Sequence, residues 1–230
     1  MIMPTPSAAP VAIIGMHRSG TSCLAGCLED LGLTLGAVNT AAPHNSKGNR
    51  ENPRLWPVHD AVLARVDAAW DRPPADPVAW TPDELAALQA VLNDYDTLPR
   101  PWGFKDPRAT VLLDGWFALL PDLQLVASIR NPLAVAASLQ ARNAMPLDQT
   151  LAAWAGYNGA LLRWRPRLTA VIDYDAPDYE ARVRAAAAAL GLDATAPMPF
   201  RDAELTHQTA EGPVPAAVAD LWAELQALAR

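Results

Sequence analysis

Residues 10–15, PVAIIG, set four consecutive apolar residues between a proline and a glycine. A run that is apolar at every position has no solvent face, so it predicts a buried parallel strand covered on both sides. The glycine then opens G-x-x-x-x-G (15–20), and residues 20–31 follow as a helix closed by Gly32. A strand, a glycine-bounded loop and a helix N-terminus make an anion site, because backbone N–H groups and the helix dipole converge on one point.

The same alternation continues downstream. Strands are predicted at 102–105, 123–129 and 168–174, where apolar and β-branched residues cluster. Helices are predicted from Pro53 to about Trp70, from Pro107 to about Leu120, and at 131–142, 147–164 and 177–190. The stretch TPDE (81–84) reads as a helix start with Thr81 as N-cap, Pro82 at the first position and Glu84 at the third. Pro215 opens a last helix in a tail spanning about 201–230. Strands alternating with helices imply an α/β fold, a P-loop three-layer α/β/α sandwich with a central parallel sheet. Residues 36–52 are polar and aperiodic, and are read as loop. The proline-rich segment 71–80 is read as a rigid surface loop rather than a linker, so residues 1–230 are expected to form one domain.

Composition narrows the function classes. Apolar residues make up 51% of the chain and charged residues 19%, which suits a soluble globular enzyme. A net charge of −7 argues against a nucleic-acid partner, so an anionic ligand must be met by local cations. Cys23 and Cys27 lie four apart on a predicted helix, where small buried apolar residues are expected rather than a zinc site or a disulfide. No stretch has the length of a membrane span, and the N-terminus lacks a cationic signal region; for a full-length chain a cytoplasmic location follows.

The loop GMHRSGTS (15–22) lacks the lysine that reaches the terminal phosphates in nucleotide triphosphatases; Thr21 and Ser22 follow Gly20, and Arg18 is its sole cation. No apolar strand ending in aspartate follows to hold magnesium, so no metal is expected. HRSGTS (17–22) resembles the 5′-phosphosulfate-binding loop of bacterial-type P-loop sulfotransferases, which use 3′-phosphoadenosine 5′-phosphosulfate (PAPS). SIRNPLAVAASL (128–139) resembles the family's 3′-phosphate element, with Arg130 at a strand end and Ser138 two helical turns on. GFKDPRA (103–109) resembles the Lys-Asp-Pro segment of tyrosylprotein sulfotransferases and bacterial relatives, and 171–192 resembles the family's strand, acidic-aromatic turn and helix. The resemblance covers about residues 10–195.

By that resemblance, Gly15, His17, Arg18, Ser19, Gly20, Thr21 and Ser22 surround the phosphosulfate, and Arg130 with Ser138 binds the 3′-phosphate. Arg18 serves the leaving phosphate, and Lys105 stabilises charge at the transferring group. Glu51 is the first candidate for the general base, since the family's tyrosylprotein enzymes use a glutamate after the first helix. His44 is its main rival; His59 and Asp60 follow, while His17 is expected to shape the loop. A helix-N-terminal carboxylate is the structural alternative for Glu51. The implied reaction is metal-free transfer of a sulfuryl group to a hydroxyl of a glycan or small metabolite, releasing 3′,5′-phosphoadenosine. A small-molecule kinase and an inactive phosphoadenosine-binding module are the competing expectations. Acceptor identity and oligomeric state are not legible.

Overall fold

A strand with no polar residue needs apolar cover on both faces, and β1 (Val11–Ile14) receives it: all four residues are buried. A computed structural model describes residues 9–42, 45–201 and 212–230. In it β1 lies inside a four-stranded parallel sheet with β2 (Gly103–Lys105), β3 (Gln124–Ile129) and β4 (Leu168–Asp173), in the order β2-β1-β3-β4. The registers pair Ile13 with Lys105, Ile14 with Ala127, and Ile129 with Asp173. The carboxyl ends of all four strands therefore open on one edge, where ligands of open α/β sheets bind.

Because side chains alternate along a strand, the two faces of β1 feed two cores. Val11 and Ile13 pack with Val126 and Ile172 beneath α1 (Thr21–Asp30) and α7 (Tyr179–Ala189), through Leu24, Leu28, Val183 and Ala187. Ala12 and Ile14 face the opposite layer. That layer holds α2 (Leu55–Arg65), α3 (Pro82–Tyr95), α4 (Leu113–Leu119), α5 (Pro132–Asn143), α6 (Leu147–Arg163) and α8 (Ala216–Leu228). The three-layer arrangement is the one the alternation predicts.

Several boundaries differ from the sequence reading, each for a local reason. The helix expected from Pro53 to Trp70 starts at Leu55 and stops at Arg65. There Asp67 takes a left-handed φ of 52° while Asp67 N–H and Ala68 N–H donate to Ala64 and Leu63 carbonyls, the bond pair of a Schellman ending. The expected helix from Pro107 to Leu120 divides into a 3₁₀ turn (Pro107–Val111) and α4. At the start of α6 Leu147 is half exposed, whereas Trp154 and Leu161 are buried. The α3 start matches: Thr81 Oγ1 accepts from Glu84 N–H, and the Glu84 carboxylate accepts from Thr81 N–H. Within 71–80, Val78 is buried and Trp80 packs on the core, so this segment adheres to the molecule. In the tail, Val218, Trp222 and Leu225 seat α8 against the same core. Among the described residues, no helix is long and apolar enough to cross a membrane.

Candidate active site

The loop between β1 and α1 is built by close approach. Gly15 has φ 132°, and a Cβ there would lie 2.2 Å from the Ser128 carbonyl oxygen of β3. Gly20 caps α1 at φ 85°, and a Cβ there would lie 2.1 Å from the ring of Tyr174, just past β4. Neither position has room for a side chain. Gly15 N–H donates to Thr110 Oγ1 (2.9 Å), which ties the loop to the turn after β2, and Ser128 Oγ donates to the Ser19 carbonyl. Arg18 itself sits at φ 66°, a left-handed conformation that costs a non-glycine residue about 1–2 kcal/mol.

From that backbone the Arg18 side chain reaches the middle of α5, where its Nε donates to Ser138 Oγ at 2.8 Å. Arg130, just past β3, reaches the same loop, with Nη1 donating to the Arg18 carbonyl at 3.4 Å. Its Nε lies 3.0 Å from Asp175 Oδ2, and its guanidinium stacks 4.8 Å from the centre of the Tyr174 ring. Arg18, Arg130 and Ser138 thus meet although 112 and 120 residues separate the first from the other two. Burial, then the neighbouring guanidinium groups of Arg142 and Arg130, hold the Arg18 pKa below its ordinary value. Like charges crowded together in an acidic chain fit a site for an anion. Two polar atoms strengthen that fit. Ser19 Oγ and His17 Nε2 are buried with no partner among the described residues, and both belong to the loop.

A cavity of about 340 Å³ opens beside the loop, lined by His17, Arg18, Thr21 and Ser22. Its far wall carries the pair that the sequence reading separated by 54 residues: Lys105 Nζ donates to Glu51 Oε1 in a buried ion pair. β2 delivers Lys105. Glu51 comes from the loop 36–52, which Asn39 organises by accepting from Glu51 N–H (2.9 Å) and donating its own N–H to the Glu51 carbonyl (3.0 Å). Ser22 Oγ donates to the Asn49 carbonyl, so this loop is also fastened to the first turn of α1. Glu51 is therefore engaged with Lys105 rather than capping α2, whose first residue is Leu55. Burial pushes the Lys105 pKa down, and Glu51 opposes that shift.

The remaining candidates are placed differently. His44, and His207 in the tail, lie outside the described residues. His59 is fully buried, with Nδ1 2.9 Å from Asp106 Oδ2 and Nε2 3.0 Å from Trp116 Nε1. An indole nitrogen can only donate, so His59 Nε2 accepts and Nδ1 carries the proton. Both ring nitrogens are occupied, which removes His59 as a base. Asp60 is half exposed and pairs with Arg108 Nε at 2.7 Å. Arg130 and Ser138 stand behind Arg18 rather than in the cavity wall. Burial, with Arg108 as the next cause, drives the His17 pKa down to about 3. Its ring meets Trp70 and Tyr157 edge-on at 5.0 and 5.8 Å, in keeping with a loop-shaping role.

Trp56 lines the cavity, while Trp102 is buried beside Tyr95 and Trp80 covers Gly115. Trp70, Asn49, Arg142 and Asn143 line it without having been singled out. Arg142 was legible in principle, being one helical turn beyond Ser138 on α5. Asn49 carried no signal, because aperiodic loop positions give no direction, and Trp70 was read as the end of a helix that stops at Arg65. Cys23 and Cys27 are free thiols 4.0 Å apart, with Cys27 buried. No group of three or more metal-ligating side chains occurs among the described residues.

No protein-family model matches the chain, and no curated protein matches it in sequence. Solved structures do. A sulfotransferase from Alicyclobacillus acidocaldarius is similar at a TM-score of 0.50 and 17% identity, over 96% of this chain and 91% of that one. The sulfotransferase domain of the Synechococcus PCC 7002 olefin synthase is similar at a TM-score of 0.48 and 19% identity, over 96% and 89% of the two chains. The likeness at such identity is one of fold: the chain has the P-loop α/β fold of sulfotransferases of known structure.

Proposed function

We propose that this chain is a PAPS-dependent sulfotransferase acting on a hydroxyl of a carbohydrate or small metabolite. The observation that carries the reading is the meeting of Arg18, Arg130 and Ser138 at a phosphate loop with no lysine after Gly20. A kinase loop needs that lysine for the terminal phosphates of ATP. Here the cation lies inside the loop, and a second, strand-end guanidinium stands beside it. In this reading Arg130 and Ser138 hold the 3′-phosphate, while Arg18 and the N–H groups of Ser19 to Ser22 hold the phosphosulfate. The two unpartnered atoms, Ser19 Oγ and His17 Nε2, lie in the same loop.

When bound, PAPS supplies the sulfuryl group and a phosphate leaving group. The protein's part is electrostatic and positional. Glu51 accepts the proton of the attacking hydroxyl, and Lys105, its partner in the buried pair, stabilises negative charge next to it. The pairing means that an acceptor entering the cavity meets base and cation already aligned. Arg18 holds permanent charge at the other side of the cavity, on the leaving phosphate.

Calorimetry with 3′,5′-phosphoadenosine and with ATP–magnesium tests the reading. Phosphoadenosine is expected to bind and ATP–magnesium to fail as a competitor. Binding of ATP–magnesium with no response to phosphoadenosine would sink the proposal. Phosphoadenosine binding without turnover of PAPS to 3′,5′-phosphoadenosine with any acceptor would favour an inactive binding module.

A further inference from the structure

Behind the cavity wall lies a chain of buried polar contacts that the proposed reaction does not use. Trp116 Nε1 donates to His59 Nε2 (3.0 Å), and His59 Nδ1 donates to Asp106 Oδ2 (2.9 Å). The other carboxylate oxygen, Asp106 Oδ1, accepts from Arg108 N–H (2.9 Å) and from Arg108 Nη1 (3.2 Å). His59, Asp106 and Trp116 are fully buried, and Arg108 lines the cavity next to Lys105.

Burying a histidine–carboxylate pair is costly unless each group has a task or a full set of partners. Here both ring nitrogens of His59 and both oxygens of Asp106 have partners, and the last link is a guanidinium facing the cavity. We infer that Arg108 is a further anion-contacting residue of the site, and that Asp106, His59 and Trp116 form the buried relay that fixes its direction. His59 is then a positioning residue. It holds Asp106 through a single protonated nitrogen, Asp106 clamps both the backbone and the side chain of Arg108, and Asp60 steadies the guanidinium from outside at 2.7 Å. The arrangement follows a general pattern, in which outer contacts orient the groups that touch a ligand.

This inference rests on the sulfotransferase reading for its chemistry but not for its geometry, so its test has two independent readouts. Nitrogen-15 spectroscopy of the histidine rings at neutral pH should show His59 protonated at Nδ1 and bare at Nε2. An imidazolium or the opposite tautomer overturns the relay, whatever the enzyme does. The second readout is turnover of PAPS to 3′,5′-phosphoadenosine, the sulfuryl group passing to an added hydroxyl acceptor or to water, with 3′,5′-phosphoadenosine affinity measured alongside. His59→Leu should lower PAPS turnover at least tenfold while leaving phosphoadenosine affinity within twofold, since Arg18, Arg130 and Ser138 are separate from the relay. His59→Asn, which can still donate to Asp106, should recover most of the loss. In an Arg108→Ala background, His59→Leu should cost no more than twofold further, because the group it positions is gone. Additive losses, or a fall in phosphoadenosine affinity, overturn the inference. If His59→Leu does not fold, the tautomer and the comparison of Arg108→Ala with His59→Asn still decide it: a turnover rate equal to wild type in Arg108→Ala overturns it. Wild-type protein that fails to bind phosphoadenosine marks failure of the functional reading instead.

Discussion

Glu51 and Lys105 neutralise each other in a buried pair, and the consequence of removing one differs from that of removing the other. Glu51→Gln should abolish sulfuryl transfer and leave phosphoadenosine affinity unchanged, because the donor contacts lie across the cavity; full activity would move the base elsewhere. Arg130→Ala should weaken phosphoadenosine binding by about 1.5–3 kcal/mol, the range for hydrogen bonds to charged groups, measured by calorimetry. His17 gives a pH signature. Between pH 6.5 and about 3 the unfolded chain binds a proton at His17 that the folded chain refuses, chiefly because of burial. Acidification across that window therefore favours unfolding, and above it both states are neutral at this ring. Urea unfolding midpoints should fall less steeply with acid in His17→Gln than in wild type; parallel slopes would refute the burial argument.

At the scale of elements, the site is a set of strand ends and helix starts, and the sequence exposed these unevenly. The α3 start was legible to the residue because a capping box is a local chemical pattern: Thr81→Ala should cost about 1 kcal/mol in thermal unfolding. The loop 15–20 was legible as a strand, a turn and a helix start, while Arg130 and Ser138 were legible only through the resemblance to the sulfotransferase 3′-phosphate element. The end of α2 was not, since Asp67 in a left-handed conformation gives no compositional warning. Nor was the pairing of Asp106 with His59, which brings together residues 47 apart and depends on how α2 packs against β2. Contacts between elements are set by packing, and a single sequence records packing only as apolar periodicity. Gly20→Ala offers a test of such packing: the added methyl meets the Tyr174 ring and the φ is unfavourable, so phosphoadenosine binding should be lost before the fold is.

Across the whole molecule, the residues proposed for the donor come from both inner strands' carboxyl ends, which places the ligand against the centre of the sheet. Phosphoadenosine at one hundred times its Kd should therefore stabilise the chain by about 2.7 kcal/mol, read as a rise in Tm of about 5–10 °C, and ATP–magnesium should give none. The loop 36–52 stands apart from that arrangement. It brings Asn49 and Glu51 to the cavity, and besides its bonds to Ser22 and Lys105 it is fastened by Lys47 to the Phe200 carbonyl, by Arg50 to Glu29 and by Asn52 to the Tyr95 hydroxyl. Of these partners only Lys105 lies in a strand, so the loop can be rewritten around Glu51 without disturbing the sheet beneath it. On the function proposed above, this loop is where a lineage could change its clientele while keeping its currency, and exchanging it between relatives, with transfer to each acceptor measured, is the direct test.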